Sequence, residues 1–175
     1  MSEYNRTTRE CTVSQLHPEL LHAIQNYFQE KKLGHLESET QMCCETISER
    51  KSANKLLSWL NGKSDTTIYT GILLTSDRLI WVHYGDQSGT LLNAANLQLI
   101  QAELYTAPFT KETGLQITGF IEGTKNGIRG QIEMGPEMAT EKFCERVKQA
   151  IAKLNPPPAQ KRLFGFPFGG GGKTG

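Results

Sequence analysis

Residues 66–84, TTIYTGILLTSDRLIWVHY, constrain the fold of this chain more than any other stretch. They read as two short strands about a tight turn, Thr75-Ser76-Asp77-Arg78. Before the turn β-branched and aromatic residues dominate (Ile68, Tyr69, Thr70, Ile72), and after it come Leu79, Ile80, Trp81 and Val82. Proline is absent, and the polar residues at the turn are types whose side chains hydrogen-bond to nearby backbone. A hairpin of this kind anchors a β-rich scaffold and carries no chemistry of its own.

The remaining constraints are those of size and charge. A chain of 175 residues suits one domain with appended segments, large enough to bury roughly 70% of the surface its unfolded chain exposes. Lysine and arginine number 19 against 18 aspartates and glutamates, which argues against a nucleic-acid partner. Such a partner calls for clustered positive charge. The four cysteines, Cys11, Cys43, Cys44 and Cys144, are scattered apart from the adjacent pair. Their spacing predicts buried free thiols in a reducing compartment rather than a disulfide framework. A metal site at His35, Cys43 and Cys44 lacks the ligand spacing that structural zinc uses. The N-terminus has no apolar signal-peptide core, and no apolar run reaches the ~20 residues of a membrane-spanning helix. The expected location is the cytoplasm.

Along the chain, residues 1–13 read as a loosely attached N-terminus. In an N-terminal helical segment, residues 14–34, a helix is expected over residues 14–32, with Leu16, Leu20, Leu21, Ile24, Tyr27 and Phe28 on one face, Pro18 in its first turn and Gly34 beyond its end. Residues 37–48 read as a strand with Met42, Cys44 and Thr46 on one face and Cys43 and Ile47 on the other. Within residues 50–65, Ser52 fits the cap of a short helix carrying Leu56, Leu57, Trp59 and Leu60. Further strands are expected at 90–93, 96–105, 115–122 and 128–134, the last two joined through Asn126-Gly127. Pro136 opens a final helix whose Phe143, Val147, Ala150, Ile151 and Leu154 form one apolar face, and Pro156, Pro157 and Pro158 stop it. Residues 155–175 read as a flexible Pro/Gly-rich tail.

About seven strands followed by one amphipathic helix is an order that resembles the pleckstrin-homology-like domains, in particular the bacterial pleckstrin-homology and GRAM-type ones. The local match is carried by Gly71-Ile-Leu-Leu-Thr-Ser-Asp-Arg-Leu-Ile-Trp-Val82, within which Leu74, Thr75, Arg78, Leu79 and Ile80 follow the family's pattern. The resemblance covers residues 37–154. It implies an α+β, mainly β fold: a seven-stranded, partly open barrel capped by the C-terminal helix, here with an extra N-terminal helix. It also implies a binding scaffold rather than an enzyme, with no cofactor; fold alone does not name the ligand.

Phosphoinositide-binding members carry a lysine at the end of the first strand and Lys-x-Arg in the second. The corresponding residues here are Arg50, Lys51, Lys55 and Lys63, with Trp59 among them as a candidate partner or lipid contact. The pattern departs at Lys63-Ser64-Asp65, which places a carboxylate where a phosphate would be repelled. His83, Tyr84 and Asp86 cluster near a strand end without a nucleophile, so no catalytic residue is assigned. The glycine run before Lys173-Thr174 has the wrong spacing and context for a phosphate-binding loop. In the tail, Leu163, Phe164, Phe166 and Phe168 are candidates for insertion into a partner groove. The expected role is therefore a protein-binding or adaptor module, with self-association allowed. A peripheral membrane module using residues 50–63 is the alternative, and an enzyme ranks third.

Overall fold

The structure is a computed structural model and describes residues 3–51, 65–107 and 112–156. Strands β1 (Tyr4–Glu10), β2 (Met42–Arg50), β3 (Thr67–Leu74), β4 (Arg78–Gly85) and β5 (Gly89–Asn96) pair antiparallel, in chain order, into one five-stranded sheet. Strands β6 (Ile100–Thr106), β7 (Thr113–Gly119) and β8 (Ile128–Met134) form a second, three-stranded antiparallel sheet. The helices are α1 (Pro18–Lys31), the single turn α2 (Leu36–Glu39) and α3 (Met138–Leu154). The fold is mainly β with a C-terminal helix, and among the described residues the two sheets do not close into a barrel.

The near-continuous apolar runs of β3 and β4 follow from their position in the middle of three layers. Ile72, Leu74, Leu79 and Trp81 face the small sheet and α3. Their neighbours Leu73, Ile80 and Val82 face α1. A strand covered on both faces needs no polar alternation. Each such side chain contributes roughly 1.5–3 kcal/mol when fully buried. β2 shows the same division: Met42, Cys44 and Thr46 point inward, and Cys43 packs under α1. The expected turn also forms, with Thr75 N–H donating to the Arg78 carbonyl at 2.9 Å and Arg78 N–H to Thr75 Oγ1 at 3.0 Å.

Both helices bury the faces read from the sequence. Leu20, Ile24, Tyr27 and Phe28 of α1 are buried, and so are Phe143, Cys144 and Val147 of α3, with Ala150, Ile151 and Leu154 packed at the rim. Their starting points differ from expectation. Residues 13–15 form a separate 3-10 turn, and α1 begins at Pro18, capped by His17. Lys32, not Gly34, takes the left-handed cap position, at φ 55°. α3 starts at Met138 rather than at Pro136: Glu137 is its extended cap residue, and the Glu137 carboxylate accepts from the Thr8 N–H at 2.8 Å.

The N-terminal expectation is corrected more substantially. Residues 4–10 are not loosely attached: they form β1, in full antiparallel register with β2 from Tyr4↔Arg50 to Glu10↔Cys44. With this strand the described residues hold eight strands rather than seven. The strand is held sideways as well. Thr8 Oγ1 lies 2.7 Å from Thr46 Oγ1 and accepts from the Gly135 N–H at 2.7 Å, while Thr140 Oγ1 donates to the Gly135 carbonyl at 2.6 Å. Thr8, Thr46 and Thr140 are all buried. Buried hydroxyls satisfied in this way tie the edge of the large sheet to the corner between β8 and α3.

Other strand boundaries shift, and the strand expected at 115–122 runs from Thr113 to Gly119. Residues 36–39 form a helical turn rather than the start of a strand, and β5 runs to Asn96, whose side chain caps a 3-10 turn at Leu97–Leu99 before β6. That corner allows the chain to change sheets. It requires Gly119, at φ 142°, because a Cβ there would sit 2.2 Å from the Leu99 carbonyl oxygen.

Candidate functional site

Apolar side chains fill the inner face of the large sheet at one end only. Toward the other end the inward positions become Thr70 and Ile68 on β3, His83 on β4, Ser48 on β2, and Arg6 and Tyr4 on β1. With Leu91 and Gly89 of β5 and Gln131 and Glu133 of β8, they line a cleft of about 380 Å3. The volume lies in the range of small ligand sites and of pockets for peptide side chains. Its apolar flank is Ile68 and Leu91, the latter 61% exposed on an edge strand.

The charges in the cleft are already paired. Arg6 forms ion pairs with Glu133 and, at 3.5 Å, with Glu112, and its guanidinium stacks 5.7 Å from the Tyr4 ring. A guanidinium held by two carboxylates is a poor phosphate receptor, because an incoming anion meets their repulsion. His83 Nδ1 lies 2.9 Å from Thr70 Oγ1, and burial lowers the imidazole's pKa below its ordinary value. The ring is therefore neutral at physiological pH and offers hydrogen bonds rather than charge.

Tyr84 points to the opposite face of β4, where it stacks with His17 at 5.1 Å, and His17 stacks with Tyr69 at 4.2 Å. Strand alternation thus separates His83 from Tyr84, and the cluster read from the sequence does not assemble. Cys43 and Cys44 diverge for the same reason, and no group of three or more metal-ligating side chains forms among the described residues.

Of the candidate basic residues, Arg50 and Lys51 lie where β2 runs out, half-buried and tied through their backbones: Arg50 N–H to the Thr66 carbonyl and Lys51 N–H to that of Glu3. Lys55, Trp59 and Lys63, the segment 56–60, and the tail candidates Leu163, Phe164, Phe166 and Phe168 lie outside the described residues.

Asp65 has a structural role. Buried, it accepts from the N–H groups of Gln87 at 2.6 Å and Ser88 at 3.2 Å, filling the amide nest of the β4–β5 turn with its own carboxylate. Gly85 makes room for it, since a Cβ there would lie 2.3 Å from the Asp65 carboxyl carbon. Burial alone would raise the Asp65 pKa; the bonds from Ser88 and Gln87 outweigh it and hold the carboxyl below the usual carboxylate range. A depressed folded-state pKa stabilises above the unfolded value of ~3.9, and the contribution disappears as pH falls through the folded value. Asp65→Asn is expected to cost about 1 kcal/mol at pH 7 and to converge with the parent in acid. Thermal melts of both proteins across pH 2–7 check this; an unchanged difference at low pH refutes the charge argument.

Sequence reading missed the cleft for a physical reason. It is assembled from six strands, and two of its residues lie in the N-terminal segment expected to be loose. The alternation of Tyr4, Arg6 and Thr8 was the available signal. No protein-family model, no curated protein and no solved structure matches this chain.

Proposed function

We propose that the chain is a non-catalytic binding module on a pleckstrin-homology-like scaffold, and that it takes an extended polypeptide segment in the cleft beside β5. Supporting the scaffold reading, β2 to β5 are followed by β6 to β8 and then by α3, with β1 and α1 as additions before them. The observation that carries the binding reading is the position of the cleft against a strand edge. β5 ends the large sheet; beyond Ala94, whose carbonyl accepts from Glu122 N–H, no strand lies beside it among the described residues. An edge strand next to an apolar-flanked cleft suits β-strand addition: backbone bonds supply affinity, and the pocket reads alternate side chains. The internally paired Arg6 favours a polypeptide over a phosphorylated headgroup.

A displayed random-peptide library selected on the full chain tests this. Selected peptides are expected to perturb backbone NMR signals of Ile68, Thr70, His83 and Leu91. Leu91→Arg, a change at an exposed side chain, is expected to weaken them at least about tenfold, or about 1.4 kcal/mol. Peptides that map elsewhere and ignore Leu91→Arg overturn the reading. Saturable binding to phosphoinositide vesicles that is lost in Arg50→Ala/Lys51→Ala would replace it with the membrane alternative.

A further inference from the structure

We propose that Cys11 and Cys43 form a redox-active dithiol that hydrogen peroxide converts to a reversible disulfide. The two residues are cross-strand partners. The β1–β2 register pairs Glu10 with Cys44, and one step further the Cys11 N–H donates to the Cys43 carbonyl at 3.1 Å. Directly opposed residues on one face of an antiparallel pair hold their Cβ atoms about 4.5–5.5 Å apart, at the upper limit of disulfide geometry and up to about 1 Å beyond it. Here the sulfurs lie 3.7 Å apart. Closing to the bonded distance of about 2.05 Å needs small side-chain rotations and a slight approach of the strand end rather than a rearrangement of the sheet.

Access and reactivity both single out this pair. Cys11 is half-buried, and with Cys43 it lines an open cleft of about 420 Å3 together with Glu10, Glu37 and Gln41. The carboxylates at this opening disfavour anionic thiol reagents and leave a neutral peroxide as the favoured oxidant. A hydrogen bond from the Cys43 thiol lowers the Cys11 pKa against the opposing effects of burial and of the Glu45 carboxylate, with Arg9 and Glu10 acting in opposite directions. Cys44 and Cys144 sit in the inter-sheet core, where burial pushes their thiols up to about 12 and about 11. The attacking thiolate is therefore Cys11 and the resolving thiol Cys43.

The chemistry balances. The Cys11 thiolate attacks one peroxide oxygen; the S–O bond forms, the O–O bond breaks, and the departing hydroxide takes up a proton as water. The Cys43 sulfur then attacks the Cys11 sulfenic acid, forming the S–S bond and expelling hydroxide, which leaves as a second water with the Cys43 proton. Two thiols are oxidised by two electrons, and one peroxide is reduced to two waters.

Peptide mass spectrometry of the folded full chain after brief hydrogen peroxide treatment tests the proposal. The expected product is a peptide pair linking Cys11 to Cys43, short of two hydrogens and restored by dithiothreitol, with Cys44 and Cys144 still alkylatable after unfolding. In Cys43→Ser the Cys11 sulfenic acid is expected to persist and to be captured by dimedone. Stepwise oxidation of Cys11 in the parent chain to sulfinic acid without a bridge overturns the proposal, as does a bridge that forms only in denaturant. The parent-chain measurement decides by itself if the variant fails to fold.

Discussion

Phe143→Ala is expected to destabilise the chain by about 3–5 kcal/mol and to lower its melting temperature by roughly 10 °C. Phe143 is fully buried and is the largest such side chain in the described core. It belongs to the core cluster between the sheets, which also holds Ile72, Trp81, Leu115 and Ile132. Its removal leaves a cavity bounded by two sheets, neither of which can collapse inward without breaking its strand ladder. Phe143→Leu, which keeps most of the volume, is expected to cost about 1 kcal/mol. Chemical denaturation of the three proteins checks the order. Equal, small losses would mean that α3 is loosely docked and that the inter-sheet core stands without it.

Arg9→Ala is expected to cost about 3 kcal/mol although Arg9 is a half-exposed surface residue. The reason is its partner. The Glu45 side chain is 3% exposed, against 52% for Arg9, and it accepts from Arg9 Nη2 at 2.6 Å and Nε at 3.1 Å. Its other oxygen accepts from the His17 N–H at 2.7 Å, which fixes the start of α1 over the sheet. Deleting the guanidinium leaves a buried carboxylate with one neutral donor. In a Glu45→Gln background the charge is gone while the bond from His17 survives, so the further change Arg9→Ala is expected to cost under about 1 kcal/mol. A double-mutant cycle by denaturation measures the difference. Additive losses would mean that the pair behaves as an ordinary surface ion pair.

A second anchor of α1 shows how far local reading extends. Arg78 belongs to the hairpin turn, and Thr75 binds its N–H as the sequence leads one to expect. Its guanidinium does something further. It pairs with Glu122 and donates to Tyr27 Oη at 3.3 Å, while Tyr27 donates to Glu122 at 3.0 Å and Lys31 lies 3.4 Å from the same carboxylate. Burial, reinforced by Glu122, pushes the Tyr27 phenol up to about 12. Glu122 lies in the loop after β7, and nothing local to Arg78 announces it.

Periodicity in the sequence determined the β3–β4 hairpin, the buried faces of α1 and α3, and the inward and outward sides of β2. Each of these depends on residues a few positions apart, where turn chemistry and side-chain direction are set by the backbone itself. Only the tertiary structure decided the rest. Residues 4–10 became a strand because an edge of β2 was available to pair with them, and the polar end of the large sheet became a cleft because α3 fills only the other end. Cys11 and Cys43 meet because the chain leaves the sheet through α1 and α2 and returns beside its own first strand. Such contacts join residues far apart in the chain, and their free energy comes from burial and pairing that no local window of sequence contains.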